Sequence, residues 1–362
     1  MCARIAIVYN HPLKSRYDAR GEQTAVTGVL DAVEAVHHAL LKLGYEVIQV
    51  PLAPPLDQAR EKLGKLETDL VFNLFEGFSG YPETEAEIAD ILSVLGVPYT
   101  GCPGGALRLA LDKVKTKLIL STAGIKTPDF QLLNPEILSS FRLGYPCIVK
   151  PCREDASHGL SAESVVYDFA PLQEQVAFVS RYYGGQALVE QFISGREFNA
   201  TVLGNYHCTV LPVSEINYSL PQTMPRILTF AAKWQPDSLY FQGTKVVCPA
   251  EIETAEREHI VQTALTAFRL LSCQGYARVD MRQDEEGRLN VIEVNPNPDI
   301  SPGSGAARQA KAAGMAYPKF IKKVVQLALE KEDHDHQDTP DEKRGQASLD
   351  ENTTKYTRVQ AI

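Results

Sequence analysis

Apolar and polar residues follow two different periods along the first third of the chain. Three short apolar segments suit β-strands: residues 4–9, 45–50 and 68–75. Residues 24–43 and 83–95 instead repeat apolar positions at helical spacing, and Gly44 ends the first of these helices. Strands that alternate with helices favour a parallel α/β sheet. A glycine-rich turn then precedes one long amphipathic helix, which ends before Pro128.

Strand-like alternation dominates the rest of the chain. Residues 145–166 predict a strand, a glycine-containing loop and a strand, and residues 187–205 predict a strand, a turn and a strand. A third unit has four strand-like segments: residues 207–213, 246–248, 276–282 and 289–295. From residue 330 the chain is polar, charged and aperiodic, which predicts a mobile tail. Its His334 and His336 offer a possible metal site, but the composition favours a solvated tail.

Composition limits the function classes. The 362 residues, 44% of them hydrophobic, suffice for two or three domains with a sizeable core. The net charge of −9 argues against nucleic acid or an anionic membrane as a partner. No apolar run is long enough to span a bilayer, and the N-terminus lacks a signal-peptide pattern. Seven cysteines without a CxxC pair fit reduced thiols, so we expect a soluble cytoplasmic enzyme.

The stretch "NVIEVNPNPDISPGSG", residues 290–305, delivers a carboxylate and an amide to the end of an apolar strand. Upstream, "DEEG" separates two alternating runs and predicts a hairpin. An even loop centred there pairs residue 278 with 293 and residue 280 with 291. Side chains two apart share a face, so four polar residues meet: Arg278, Asp280, Glu293 and Asn295. An odd loop length shifts the register and breaks this set.

Three oxygen donors on one face suit a hard divalent cation such as Mg²⁺, with phosphate oxygens completing its shell. The alternative is a surface salt-bridge cluster on an exposed hairpin. The other face favours the metal interpretation because it is apolar: Ala277, Val279, Met281, Leu289, Ile292 and Val294. The prolines at 296, 298 and 302 then fix the backbone just past the metal.

Other polar residues suit a nucleotide. Lys150 ends an apolar strand before Pro151, and the small residues of loop 153–159 could wrap phosphate oxygens. Lys113 and Lys233 add possible phosphate contacts, although a structural role is an open alternative for such lysines. Glu190 and Glu197 flank a turn, where a carboxylate could hold a ribose hydroxyl or an adenine amine. For each glutamate, a plain surface position is the alternative.

Taken in order, five segments resemble the D-alanine–D-alanine ligase family of the ATP-grasp superfamily. The resemblance covers roughly residues 1–325, and its most specific parts are these five segments: "VPYTG…ALDKVKTKLILSTAGIKTP", "IVKPCREDASHG", "LVEQFISGREFNATVLG", "YARVDMR" and "VIEVNPNP". The resemblance implies an α/β ATP-grasp fold with ATP between a central and a C-terminal domain. We accordingly expect an N-terminal α/β domain at 1–105, a central domain at 106–190, a C-terminal domain at 191–328 and a polar disordered tail at 329–362.

The resemblance also implies a role for individual residues. Lys113 and Lys150 would contact the ATP phosphates, Lys233 the γ-phosphate, and Arg278 the acyl phosphate and the tetrahedral oxygen. Glu154 and Ser157 belong to a lid loop at 154–159 that would cover the cofactor. The adenosine would be bound by four residues: Glu190, Phe192, Ile193 and Glu197. Asp280, Glu293 and Asn295 would hold two Mg²⁺ ions (Mn²⁺ is possible), and Glu22 would take the ammonium of the first substrate.

Three positions depart from the family pattern. Ala156 stands where a first serine is usual in the lid, although Ser157 is kept, and Trp234 stands where a tyrosine is usual. Alanine has no hydroxyl and indole only donates, so the usual hydrogen-bonded set with the N-terminal glutamate cannot form. Asp299 replaces a glycine near the reacting centre and, with Ser304 and Trp234, is predicted to contact substrate. A turn cap that points to solvent is the alternative for Asp299.

These features predict an ATP-dependent carboxylate–amine ligase that joins amino acids or small peptides through an acyl phosphate. Because of the departures, we expect substrates other than D-alanine with D-alanine. Two alternatives stay open, an authentic D-alanine–D-alanine ligase and a catalytically idle ATP-binding regulator. The resemblance further implies small-molecule substrates and a homodimer, with no nucleic-acid or membrane partner.

Overall fold

The computed structural model describes residues 3–18, 28–155 and 157–335. At the N-terminus, three strands form a parallel sheet in the order β2-β1-β3, as the alternation of strands and helices predicts. The strands are β1 (Arg4–Asn10), β2 (Glu46–Leu52) and β3 (Leu70–Leu74). The helices are α1 (Val29–Lys42), α2 (Leu56–Gly64) and α3 (Glu83–Val94). Every residue of β3 is buried, including the polar Asn73.

Two helices follow where the sequence predicts one long helix, so that prediction is wrong. They are α4 (Gly104–Leu111) and α5 (Lys113–Thr122). Asp112 separates them because its ψ of 87° is not helical, while its side chain accepts a hydrogen bond from the backbone N of Lys115 at 3.1 Å. This N-cap restarts the helix. Lys113 is therefore the first residue of α5.

The central part of the chain forms a four-stranded antiparallel sheet in the order β4-β7-β5-β6. Its strands are β4 (Phe130–Leu133), β5 (Cys147–Pro151), β6 (Val165–Val166) and β7 (Ala187–Gln191). Helix α6 (Phe169–Tyr183) packs on this sheet through Leu172, Val176 and Val179, which are spaced at three and four residues and fully buried. The predicted strand, loop and strand at 145–166 is confirmed.

A larger sheet in the order β11-β10-β8-β12-β13, with β9 paired to β8, follows. Its strands are β8 (Glu197–Gly204), β9 (Cys208–Val210), β10 (Ser214–Tyr218), β11 (Thr244–Val247), β12 (Gly275–Gln283) and β13 (Leu289–Pro296). The helices of this part are α7 (Phe230–Trp234), α8 (Leu239–Gly243), α9 (Thr254–Leu270), α10 (Gly305–Ala312) and α11 (Tyr317–Asp335). The predicted hairpin is confirmed as β12–β13.

The hairpin differs from the prediction in register. Arg278 lies opposite Asn295 and Asp280 opposite Glu293, because the loop 284–288 has an odd number of residues. A bulge between Asp280 and Met281 absorbs the extra residue and restores the alternation. The four polar side chains therefore still share one face. Ile292 leaves the apolar face at this bulge and is only partly buried.

Helix α11, at the C-terminal end of the described residues, packs against the N-terminal sheet. Its Phe320, Ile321 and Val324 belong to the same buried cluster as Ile7 and Phe72 of the N-terminal sheet. The helix continues to Asp335, past residue 329 where the sequence predicts a disordered tail. Polar composition does not stop a helix whose preceding turns are already docked. The rest of the predicted tail lies outside the described residues, and no described helix could cross a membrane.

Candidate active site

A cavity of about 890 Å³ opens between the central sheet and the C-terminal sheet. The structure brings most of the predicted nucleotide and metal residues to its walls: Lys113, Lys150, Glu154, Ser157, Glu190, Phe192, Ile193, Glu197, Lys233, Asp280 and Glu293. Arg278 and Asn295 reach it through hydrogen bonds to Asp280.

Asp280 is the centre of the predicted metal face. Arg278 donates to it through Nε (2.7 Å) and Nη2 (2.8 Å), and Asn295 donates through Nδ2 (2.9 Å). Asn199 adds a fourth hydrogen bond from Nδ2 at 2.8 Å. The prediction missed Asn199, which lies opposite Asp280 on β8 and two residues after Glu197, on the same face. The Arg278–Asp280 pair is largely buried, so the surface salt-bridge alternative does not describe it.

Glu293 forms an ion pair with Lys113, with Nζ and Oε1 2.5 Å apart. The same ammonium donates to the backbone oxygen of Glu154 at 2.5 Å. Burial opposes both charges, yet the pair raises the pKa of Lys113 and lowers the pKa of Glu293. Both groups are therefore charged at neutral pH.

The oxygen donors fit a magnesium ion. Oε2 of Glu293 and Oδ1 of Asn295 form no hydrogen bond or ion pair with the described residues. Together with Asp280 they offer two carboxylates and an amide, the hard oxygen ligands that Mg²⁺ prefers. The described residues contain no group of three His, Cys, Asp or Glu side chains that could hold a metal alone. A cation here would thus depend on the amide and on phosphate oxygens to complete its shell.

A buried carboxylate holds two lysines beneath the cavity. Glu190, only 1% exposed, pairs with Lys117 at 2.8 Å and with Lys150. Burial alone would raise the pKa of Glu190, but the two ammonium groups lower it to about 2. Glu190 is therefore no surface glutamate, and it positions Lys150. The prediction missed Lys117, whose only sequence signal is its place one helical turn after Lys113.

Glu197 presents one free oxygen to the cavity. Its Oε2 accepts from Tyr218 at 2.6 Å and from Nη2 and Nε of Arg282 at 2.6 and 3.0 Å. Its Oε1 has no described partner, so it can accept a hydrogen bond from a ribose hydroxyl. Arg282 also donates to the backbone oxygen of Ile193 at 2.6 Å, which fixes the strand connection beside the predicted adenine site. Sequence reasoning missed Arg282, two residues after Asp280 on the same strand.

Lys233 offers an unpaired charge. Thr229 caps its short helix α7 by accepting from the backbone N of Ala232 at 3.0 Å. The Lys233 ammonium forms no hydrogen bond or ion pair with the described residues. Burial, and then the Arg278 guanidinium, lower the pKa of Lys233, so an anion placed here would stabilise its charged form. The neighbouring Trp234 lines neither this cavity nor the second cavity described below.

The predicted lid loop contacts the N-terminal part of the chain. The carboxylate of Glu154 accepts hydrogen bonds from Arg16 and Tyr17, and the His158 ring stacks on Tyr17 with centroids 3.8 Å apart. Ser157 donates to the backbone oxygen of Leu228 at 3.0 Å. The described residues of this loop thus line the cavity and contact both neighbouring parts of the chain.

Two predicted substrate residues act locally as caps. Asp299 accepts from the backbone N of Ser301 at 2.8 Å and from its hydroxyl at 2.9 Å, as the turn-cap alternative predicts. Asp299 is exposed and also lines a second cavity. Ser304 caps α10 by accepting from the backbone N of Ala307 at 3.3 Å. Glu22 and Ala156 lie outside the described residues.

Comparison with known proteins identifies the family. A family model described as "D-ala D-ala ligase C-terminus" matches residues 119–326, more than half of the chain. The chain belongs to the D-alanine–D-alanine ligase family. The prediction of an ATP-grasp ligase that forms C–N bonds is thereby confirmed.

Relatives of similar length support this membership. A D-alanine–D-alanine ligase of Alcanivorax borkumensis is 31% identical over 312 residues, which cover 86% of this chain and 92% of the relative. One from Gluconobacter oxydans is 32% identical over 298 residues, covering 82% and 92%. An uncharacterised protein of Sinorhizobium fredii is 35% identical over 260 residues, covering 72% and 74%.

Solved structures show the fold. The D-alanine–D-alanine ligase of Bacillus anthracis in complex with ATP superposes with a TM-score of 0.72 at 24% identity, covering 92% of this chain and 99% of that one. The VanG D-Ala:D-Ser ligase of Enterococcus faecalis gives a TM-score of 0.70 at 21% identity, covering 91% and 100%. The predicted ATP-grasp fold is confirmed.

Proposed function

We propose that this protein uses ATP and Mg²⁺ to ligate D-alanine with D-alanine. The relatives favour this reaction over the other amino-acid pairs that the sequence departures predict. The observation that carries the proposal is the cavity wall on which Lys113, Lys233 and Arg278 surround the carboxylates of Asp280 and Glu293. An idle regulator would not need this set of charges, which suits phosphoryl transfer.

The chemistry requires activation of a carboxylate. A free carboxylate does not react with an amine in water because its leaving group would be oxide. Transfer of a phosphoryl group to the carboxylate supplies a good leaving group, and the attacking amine then releases phosphate. The protein contributes position and charge, and one such contact to a developing oxyanion is typically worth about 2.7–4 kcal/mol in the transition state.

Each step of this reaction has residues that could carry it out. Lys113 and Lys150 bind nucleotide phosphates, and the unpaired Lys233 neutralises the transferred phosphoryl group. Arg278, fixed by its two hydrogen bonds to Asp280, stabilises the oxyanion that forms when the amine attacks. Asp280, Glu293 and Asn295 would hold the magnesium, which would supply charge neutralisation for the phosphates.

The walls of the cavity also bind the adenosine of the nucleotide and exclude water. Phe192 and Ile193 provide the apolar surface for adenine, and the free oxygen of Glu197 accepts from the ribose. The loop at 154–159 keeps water from the acyl phosphate, which would otherwise be hydrolysed. In this proposal ATP lies between a central domain at 106–190 and a C-terminal domain at 191–328. The cytoplasmic location and the homodimer stay predictions.

The test is a turnover assay on the full chain. Purified protein with ATP, MgCl₂ and D-alanine should release phosphate and form a product with the mass of the dipeptide. L-alanine serves as the matched control, and omission of MgCl₂ should stop the reaction. Phosphate release that does not depend on D-alanine, or no dipeptide at millimolar D-alanine, contradicts the proposal.

A further inference from the structure

A second cavity, of about 320 Å³, lies beside the strand that carries Glu293 and Asn295. The end of β3, the helix α3 and the loop after β13 form its polar wall, through Asn73, Glu76, Glu85, Asn297 and Asp299. None of the roles assigned above uses Asn73, Glu76 or Glu85.

The polar wall is acidic. Three carboxylates line the cavity, and its described lining residues include no lysine, arginine or histidine. The Glu76 carboxylate has no described partner, whereas Glu85 accepts one hydrogen bond from Nδ2 of Asn297 at 3.0 Å. Glu76 lines the cavity and is exposed to solvent. Burial raises the pKa of Glu85, which is partly buried.

Asn73 provides an independent sign of a ligand. Its side chain is 2% exposed, and it lines the cavity with an Nδ2 that has no hydrogen-bond partner. Its Oδ1 is already used, since it accepts from the backbone N of Phe75 at 3.2 Å. A buried donor without an acceptor is unfavourable, so the cavity suits a molecule that brings an acceptor oxygen.

A metal ion does not match this arrangement. The carboxylates of Glu76, Glu85 and Asp299 do not form a group that could hold one metal, because the described residues contain no such group. They are instead spread around the wall, together with an amide donor. A ligand with several atoms, a positive group and an acceptor oxygen satisfies both features.

The cavity adjoins the reacting centre. Burial lowers the pKa of Arg278, but the carboxylates of Asp280, Glu293 and Asp299 together raise it. Burial raises the pKa of Glu85, and Asp155 of the lid loop adds to this increase. Asn297 follows Asn295 along the same segment and accepts from the backbone N of Cys102 at 2.7 Å. A molecule in the cavity would thus lie within electrostatic range of the groups that handle the acyl phosphate.

We propose that this acidic cavity binds the cationic side chain of an amino-acid substrate, so that the ligase accepts a basic D-amino acid in addition to D-alanine. This inference rests on the proposed ligase function, and it gives the same site a wider substrate class. The ammonium of the side chain pairs with Glu76 and Asp299, and an oxygen of the same molecule accepts from Asn73.

The experiment compares D-lysine with D-norleucine, which has the same carbon chain without the side-chain ammonium. With ATP, MgCl₂ and the full chain, we expect kcat/KM to be at least about tenfold higher for D-lysine, the ratio that about 1.4 kcal/mol produces. Glu76→Gln should remove most of this preference. Asp299→Asn, which can still cap its turn, is a second variant in case the first fails to fold. Glu258→Gln, on the exposed side of α9, is the matched control and should keep the preference.

Equilibrium binding separates this inference from the proposed function. Calorimetric titration with each amino acid, in the presence of ADP and MgCl₂, should show tighter binding of D-lysine even without turnover. Dipeptide formation from D-alanine with equal use of D-lysine and D-norleucine overturns the inference alone. Tighter D-lysine binding with no phosphate release from any pair overturns the ligase function alone. Equal binding of the two amino acids, with or without turnover, also overturns the inference.

Discussion

Replacement of Glu190 by glutamine tests the buried pairs beneath the nucleotide cavity. The change keeps the size of the side chain but removes the charge that Lys117 and Lys150 share. The pKa of Glu190 falls from 4.5 to about 2 on folding. A difference of this size corresponds to about 3 kcal/mol of stability at neutral pH. We therefore expect Glu190→Gln to lose about that much free energy of unfolding at pH 7.

The pH dependence follows from the direction of the shift. Because the folded-state pKa is lower than the unfolded one, the stabilisation is complete above pH 4.5. As the pH falls from 4.5 towards 2, the unfolded chain takes up a proton that the folded chain does not, and the stabilisation is lost. Roughly half of it should be gone by pH 3.

Urea denaturation of the wild type and the variant, at pH 7 and at pH 3, measures both quantities. Glu174→Gln is the matched control because this glutamate is exposed on α6 in the same part of the chain. It should change the free energy of unfolding little at either pH. A loss below about 1 kcal/mol for Glu190→Gln at pH 7, the size expected of a surface pair, contradicts this account. A loss of unfolding free energy that is equal at pH 7 and pH 3 also contradicts it.

Four further variants test the site and the C-terminal part of the chain. Asp280→Asn and Glu293→Gln should each lower the rate of phosphate release at least a hundredfold while circular dichroism stays unchanged, because each removes charge where the cation would bind. Truncation after Asp335 should leave the melting temperature and turnover nearly unchanged, since the removed residues are polar. Asp299→Gly should shift the acceptor preference away from cationic amines in a competition assay scored by product mass. Near-normal turnover in the first pair, a large loss on truncation, or an unchanged acceptor ranking would contradict the respective expectation.

The shared face of the four polar residues on β12 and β13 could be predicted from the sequence because it depends on a period of two. Arg278, Asp280, Glu293 and Asn295 keep one face in any register shifted by an even number of residues. The register itself could not be predicted, since the bulge beside Asp280 and the odd loop compensate each other. A local pattern fixes the face of a strand, but it does not show where the ladder is interrupted.

Residues whose partners lie far away in the sequence are not predicted by a local sequence pattern. Lys117 matters because Glu190 lies 73 positions later and is buried against it. Arg282 matters because Glu197, on a neighbouring strand, shares its face. The break between α4 and α5 had a readable signal, since Asp112 is a favourable N-cap residue, but the apolar period across it is continuous. The sequence does not predict the acidic cavity because Asn73, Glu85 and Asp299 come from three separate segments.

In the proposed mechanism, the ion pair between Lys113 and Glu293 would make the nucleotide and the cation mutually dependent ligands. Each of these two residues is the other's counter-ion, and each is also assigned to an incoming ligand. A nucleotide that draws the ammonium away leaves the carboxylate without a counter-ion, unless a cation takes its place. Each ligand therefore removes an obstacle to the other. By reciprocity, the factor by which the cation raises nucleotide affinity equals the factor by which the nucleotide raises cation affinity.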